Sequence, residues 1–388
     1  MANFNIIVIM NRFISFVAVF LLIGVAAMAL ILGVSANASV SADIDETVVH
    51  PVEIADEAVA ANSKDTIQVV AVGDIMMGTI YPNREFLPPN DDCSRSFSMV
   101  KEYFANADIV FGNLEGVFTD SNTGAKRCNN PDVCYVFGMP TSYVNCLVDA
   151  GFNLISIANN HVGDYGDHGR TSTVQTLSDA GIHFAGLLSC PTSEFVIDGV
   201  RYGFCAFAPN IGTVDVRNIP AAQEMVRQLK ARNDIVIVSF HAGAEGRAYQ
   251  NVTRQNETYL GENRGNVYEF SHSMIDAGAD ILLGHGPHVT RAVEIYKDRF
   301  IAYSMGNFST FRRVNVQDVN GIAPIFRIFT TRDGRFIKAH ITPTIQPNDD
   351  RNPRYDPSGR VISVIRNLTR TDFPEQTINI TDDGWIRL

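Results

Sequence analysis

Lysine is scarce in this chain, with 6 in 388 residues against 25 arginines. Arginine's planar fork matches carboxylate and phosphate oxygens, so the bias is compatible with an anionic substrate, and equally with genomic composition alone. Net positive charge is also lacking. A formal charge of −11 disfavours nonspecific contact with nucleic acid or anionic lipid, and no nucleic-acid partner is expected, although a local basic patch is still able to bind an anion. No Cys-x-x-Cys pair occurs among the six cysteines, which argues against a structural zinc knot. Internal repeats and low-complexity tracts are absent too. Charged residues make up only 19% of the chain and hydrophobic ones 46%, the balance of a folded globular protein.

One long apolar run is present. Residues 13–34, FISFVAVFLLIGVAAMALILGV, are long enough to cross a bilayer as a helix. Arg12 precedes the run, and Asp43, Asp45 and Glu46 follow it. That asymmetry keeps residues 1–12 in the cytoplasm and sends the rest outward. Ala36-Asn37-Ala38 supplies an A-x-A cleavage site. A single-pass anchor in the cytoplasmic membrane and a cleaved signal, giving a secreted or periplasmic protein, are therefore both open, and both export the main domain. Residues 35–65 read as a linker. In an oxidising compartment the cysteines are free to pair. Cys128 and Cys134 flank the polar loop CNNPDVC and form the best candidate pair. Cys146 and Cys205 sit in apolar stretches and read as buried thiols.

From Ile67 onward, short β-branched runs alternate with helix-like stretches. The runs are IQVVAV, DIVFGN, NLISIA, IVIVSF and DILLG, and the helical candidates are 141–150, 170–180, 221–231 and 267–277. Such alternation predicts an α/β fold. Asp198-Gly199, Lys297-Asp298 and Asp333-Gly334 read as hairpin turns, so two mixed β-sheets packed face to face and flanked by helices fit better than one parallel sheet. The main domain spans 66–345. Residues 346–388 read as a C-terminal appendage with a helix near 361–368 and a last hairpin at Asp383-Gly384.

The chemistry lies where the apolar runs stop. They lead into Asp74, Glu115, Asn160-His161, His241 and His285-Gly286-Pro287-His288. Sites in open α/β sheets form beyond the carboxyl ends of strands, so these residues are placed to converge. Taken singly, each has a plain structural explanation, such as a turn, a helix cap or a hydrogen-bonded core histidine. Taken together, carboxylates, imidazoles and an amide oxygen without a thiolate suit manganese, iron or zinc, and their number suits one or two divalent ions. Asp164 and Asp167 are candidates to orient histidines, or are plain loop residues. Glu245 is a candidate base or substrate contact. Arg170, Arg247 and Arg291 each closely follow a motif and are candidate anion clamps, while Asn307 is expected to shape the site floor.

The ordered series VGDIMMG, FGNLEG, SIANNHVGDYG, VSFHAGAE, GHGPHV and YSMGNF, running from Val72 to Phe308, resembles the CapA family of capsule and poly-γ-glutamate synthesis proteins. That family is similar in fold to calcineurin-like metallophosphoesterases, which implies two packed sheets between helical layers and a dinuclear metal centre. On this resemblance Asp74 binds the first metal and Glu115 bridges. Asn160, His241 and His285 bind the second metal, and His288 returns to the first. His161 matches the histidine that protonates a leaving group. The sequence departs from the phosphoesterases at two places. Met76 stands where they usually carry a histidine, which leaves one metal a ligand short. The last motif is His-x-x-His, so Gly286-Pro287 must turn the chain for both histidines to reach metals.

The resemblance implies a metal-dependent hydrolase or transferase acting on an anionic polymer or a phosphoester. Two alternatives stand beside it: a non-catalytic, membrane-anchored partner in a polymer-synthesis complex, and a secreted phosphoesterase with an unrelated substrate. Export is the expectation least dependent on the family. A reporter enzyme fused after Asp65 is expected to work only when it is active outside the cytoplasm, and activity solely from a cytoplasm-dependent reporter would overturn the orientation.

Overall fold

Residue alternation along the strand Thr66–Met76 sends Ile67, Val69 and Ala71 to one face and Val70 and Val72 to the other, and all five are fully buried. A strand buried on both faces belongs at the centre of a sheet covered on both sides. The computed structural model describes residues 65–128 and 134–388. The apolar run at 13–34 and the linker up to residue 64 lie outside the described residues. Among those that are described, no helix is long and apolar enough to cross a membrane.

Thr66–Met76 is the middle of a ten-stranded mixed sheet. On one side it pairs in parallel with Ile109–Leu114, which is followed by Leu154–Ser156 and His183–Ala185, also parallel. On the other side Ile322–Thr331, Phe336–Ile345 and Trp385–Arg387 are successively antiparallel. A second sheet has six strands. Its centre, Val200–Phe207, Ile235–His241, Ile281–His285 and Arg299–Ala302, is parallel, and each edge is closed by an antiparallel hairpin strand. Two of the turns carry the positive φ expected of tight hairpins, at Asp198-Gly199 (51° and 72°) and Lys297-Asp298 (48° and 60°).

The two sheets share one apolar cluster. Ile67, Val69 and Phe111 from the larger sheet meet Phe204, Ile237 and Leu283 from the smaller, and Phe111 contacts Phe204 edge-on with ring centroids 5.9 Å apart. The outer faces carry helices. Val144–Ala150 and Gly166–Asp179 cover the larger sheet, and Ile219–Lys230 and Val267–Ala277 cover the smaller. Asn218 and Asn266 cap the last two helices with their side-chain oxygens. The segment after Gln346 adds Trp385–Arg387 and Asn379–Ile380 to the larger sheet. Its helix Arg360–Asp372 buries Val361, Ile362 and Ile365 in the cluster between the sheets.

Cysteine pairing differs in part from the sequence reading. Cys128 is bonded to Cys134, and Cys146 is bonded to Cys93 rather than left as a buried thiol. The partner is 53 residues away, and it is packing of the Cys93 loop over helix Val144–Ala150, not local spacing, that brings the sulfurs together. Cys205 is a fully buried free thiol, and burial pushes its ionisation well up.

Arg291 is fully buried. Its Nη1 and Nη2 donate to the two oxygens of Glu257 at 2.9 and 2.7 Å, and Nη2 also donates to the Ala244 carbonyl at 3.2 Å. Glu257 accepts in turn from the Ala244 amide. The pair thereby staples the loop after Ile235–His241 to the small hairpin that begins at Glu257. Removing one partner of such a pair strands the other charge in the interior. Arg291→Met is expected to cost about 3–5 kcal/mol in urea unfolding, whereas Arg335→Met, which breaks an exposed pair with Asp333, is expected to cost little. Equal losses in the two variants would refute the stapling role.

Candidate metal centre and cavity

The parallel register aligns the chemistry-bearing ends of the strands. His241 lies beside His285 in the smaller sheet, and Asp74 lies between Asn113 and Asn307 in the larger. Close backbone approach makes this possible. A Cβ on Gly73 would sit 2.0 Å from the Gly306 carbonyl oxygen, so only glycine lets the Asp74 amide donate to the Gly306 carbonyl. The turn required in the His-x-x-His motif is present at Gly286, with φ +112°, where a Cβ would lie 2.8 Å from the Ala242 backbone.

Both histidines of that motif meet Asp74. Asp74 Oδ1 accepts from Asn113 Nδ2 at 2.9 Å and lies 3.0 Å from His285 Nδ1, while Oδ2 lies 3.1 Å from His288 Nδ1. His288 Nε2 is 3.4 Å from Glu115 Oε1, and His161 Nε2 is 4.0 Å from the same atom. His161 Nδ1 is 2.7 Å from Asp164 Oδ2. Asp164 also accepts from the Phe137 amide and pairs with Lys126 Nζ at 2.6 Å.

Several buried atoms at this point have no hydrogen-bond partner: Glu115 Oε1, Asn160 Oδ1, both ring nitrogens of His241 and His285 Nε2. A buried unsatisfied polar atom costs about 1–3 kcal/mol, and buried polar atoms are ordinarily paired. Side-chain donor atoms of Asp74, Glu115 and His241 lie within 4.8 Å of one another. These unpaired atoms are all electron-pair donors of types that bind divalent cations, so the residues present fit a divalent metal.

Burial and neighbouring charges shift several groups at this point. Burial opposes ionisation of Asp74, yet the hydrogen bonds and charges of His285 and His288 hold its carboxyl well below the usual range. Burial, and then the charge of Asp74, push Glu115 well above it. Burial drives His241 well below the ordinary imidazole value. Burial also opposes charge on His288, but Glu115 and Asp74 outweigh it and push His288 up to about 10. A cation at this point would keep Glu115 ionised and His241 neutral, the forms in which each is a ligand.

A cavity of about 710 Å³ opens beside these residues. Asn160, His161, Glu245, His288 and Asn307 line it. Asp74, Glu115, His241 and His285 are buried and are not among its wall residues. Asn307 holds the wall by donating to the carbonyls of His288, Asn315 and Asn320. The three candidate arginine clamps are elsewhere. Arg170 pairs with Asp167, Arg247 with Asp318, and the fork of Arg291 is spent on Glu257. Asp164 orients His161, whereas Asp167 is 94% exposed and holds only Arg170.

Arg264 and Lys126, both on the cavity wall, escape a reading of the sequence because they lie outside the motifs. Asn113 and Asn159 were within reach, since they sit inside FGNLEG and ANNH. Asn159 donates to the Leu114 carbonyl and accepts from the His161 amide.

Comparison with known proteins agrees with the ordered motifs. The chain is 30% identical over 264 residues to the PGA biosynthesis protein CapA of Bacillus subtilis, covering 63% of this chain and 64% of that one. It is 28% identical over 265 residues to the capsule biosynthesis protein CapA of Bacillus anthracis, covering 63% and 60%. The match therefore spans less than two thirds of either relative. A solved hypothetical protein from Thermus thermophilus is a distant likeness, with TM-score 0.44 and 14% identity over 72% of this chain and 100% of that one. Residues 68–311 match the family described as bacterial capsule synthesis protein PGA_cap, and the chain belongs to that family.

Proposed function

We propose that this chain is a metal-dependent hydrolase or transferase that works outside the cytoplasmic membrane on an anionic envelope polymer of the capsule or polyglutamate type. The observation that carries the reading is the meeting of unpaired, buried ligand atoms from both sheets beside an open cavity. The names of the two Bacillus relatives, both tied to capsule or PGA biosynthesis, supply the polymer. Asp74, Glu115, Asn160, His241, His285 and His288 would hold one or two divalent ions. When bound, such an ion supplies Lewis acidity toward a phosphoryl or carbonyl group at neutral pH.

The remaining work falls to the chain's own groups. Asp164 takes the Nδ1 proton of His161 as a hydrogen bond and so leaves Nε2 as the working nitrogen. His161 borders the cavity and is placed to give a proton to a leaving group there. Lys126 and the Phe137 amide hold Asp164, which fixes the ring through a second layer of contacts. Glu245, also on the wall, is placed to touch substrate. Phe137, whose ring centroid is 4.2 Å from that of His161, shields one face of the imidazole.

A second reading, a non-catalytic component of a membrane polymer-synthesis complex, is favoured by Met76. It is fully buried where the phosphoesterases place a histidine, and a thioether there is a poor partner for a hard cation.

Metal content separates metal binding from its absence, and turnover then separates the two readings. Asp74→Ala, Glu115→Ala and His241→Ala are each expected to lower the metal measured by plasma emission per folded protein, while Arg335→Ala is expected to leave it unchanged. Full occupancy in all three site variants would refute the convergence. In metal-loaded protein, His161→Asn is expected to lower turnover on the order of 10²–10⁴-fold while metal content is retained. The assay is a panel of phosphoesters and γ-glutamyl oligomers. Unchanged turnover would remove His161 as the acid, and no turnover by the parent protein on any substrate would favour the assembly reading.

A further inference from the structure

Strands Glu257–Tyr259 and Glu262–Gly265 form a two-stranded hairpin that brings Arg264 to the cavity. Arg264 is only 5% exposed, and its surroundings hold it in place. Nη2 lies 3.1 Å from Glu245 Oε1, and Nε lies 3.1 Å from Glu262 Oε2. The guanidinium carbon is 5.7 Å from the centroid of the Tyr259 ring, and the Arg264 carbonyl accepts from the Gly243 amide. Nη1 and Nε are both buried and neither makes a hydrogen bond. Arg291 and Arg366 also carry an unpartnered nitrogen, but neither lines this cavity.

The rest of the wall has the same sign. Lys126, Arg127 and Arg313 border the cavity together with Arg264, and among the described residues Glu245 is its one acid. Lys126 is paired with Asp164, so in a chain of net charge −11 Arg264, Arg127 and Arg313 are the wall bases that favour an anion here. A buried guanidinium is always charged and presents its donors as a rigid fork. Its interaction with an anion is stronger in a partly dry cavity than in water.

We propose that Arg264 is the specificity-determining residue of this cavity, donating Nη1, and Nη2 in competition with Glu245, to a carboxylate or phosphate group of the substrate. This rests on reading the cavity as the substrate site. Glu245 is then an internal counter-ion that the incoming anion must share or displace. Tyr259 limits the approach to the plane of the fork, which favours a two-oxygen group over a neutral one.

The test is calorimetric titration of the full-length protein with inorganic phosphate and, separately, with glutarate, first after chelation and then after metal loading. Parent protein is expected to bind at least one probe in the chelated state. Arg264→Met is expected to weaken that binding on the order of 10–100-fold. Arg264→Lys, which keeps the charge and loses the fork, is expected to weaken it less. Glu245→Gln is expected to tighten it, because the competing carboxylate is gone. The probe that responds tells whether the group is a phosphate or a carboxylate. Metal content separates the two sites: Arg264→Met is expected to load metal as the parent does while its anion binding in chelated protein is weakened. The proposal is overturned if parent protein binds neither probe. It is equally overturned if Arg264→Lys and Glu245→Gln both bind as the parent does.

Discussion

At their polar end the two sheets of this protein meet around one carboxylate. Asp74 belongs to the larger sheet, and the histidines that hold its two oxygens, His285 and His288, come from the smaller sheet and the turn that follows it. Below this contact the sheets share a large apolar cluster. A fully buried carboxylate between two imidazoles is costly to assemble, and here it is surrounded by further ligand-type atoms with no partner. An apolar filling would give a more stable sandwich. Natural sequences break local rules of this kind mainly at functional sites, and a divalent ion is the simplest group that would satisfy all of these donors together.

Glycines make the approach of the two sheets possible. At Gly73 and Gly286 backbone stands where any side chain would collide with a neighbouring carbonyl or amide. These two positions bring Asp74 against the 306–307 loop and His285 and His288 against the loop after His241. Geometry at the site is thus fixed by backbone contact first and by side-chain hydrogen bonds second. The hydrogen bonds then choose the roles. A ring whose Nδ1 is held by a carboxylate presents Nε2, and that is so for His161, His285 and His288 alike. What separates them is position: His161 and His288 reach the cavity wall, and His285 does not.

Much of this arrangement was legible in the sequence because it follows from periodicity. Apolar runs ending in Asp, Glu, Asn or His report both a buried strand and the polar end of a sheet, and the hairpin dipeptides report antiparallel pairs. What the sequence did not announce depends on contacts between distant segments. Cys146 looked like a buried thiol because its partner Cys93 is remote in the chain. Arg291 looked like an anion clamp because it follows GHGPHV, yet its charge is spent on Glu257 in the interior. Arg264 lies in the irregular stretch ETYLGENRG, where no pattern marks it, and only the folded hairpin carries it to the cavity. Asp164 and Asp167 were indistinguishable by spacing. The helix that begins at Gly166 leaves Asp164 buried in the preceding turn against His161, whereas Asp167 lies in its exposed first turn.

Arg291 and Arg264 show how one residue type takes opposite roles within a single small region. Both are buried arginines paired with glutamate, and the same hairpin supplies Glu257 to one and carries the other. In Arg291 both terminal nitrogens engage one carboxylate, and Nη2 also donates to the Ala244 carbonyl. Such an arginine is part of the scaffold. It fixes the loop bearing Glu245 and the hairpin bearing Arg264 through one pair, so those two residues are held at a set separation. In Arg264 the fork is open, with one terminal nitrogen on Glu245 and the other without a partner at a cavity wall. The Arg291 pair therefore places Arg264. An acidic protein is able to hold an anion in this way without a general excess of basic charge, because nearby charges at a cavity wall outweigh distant ones.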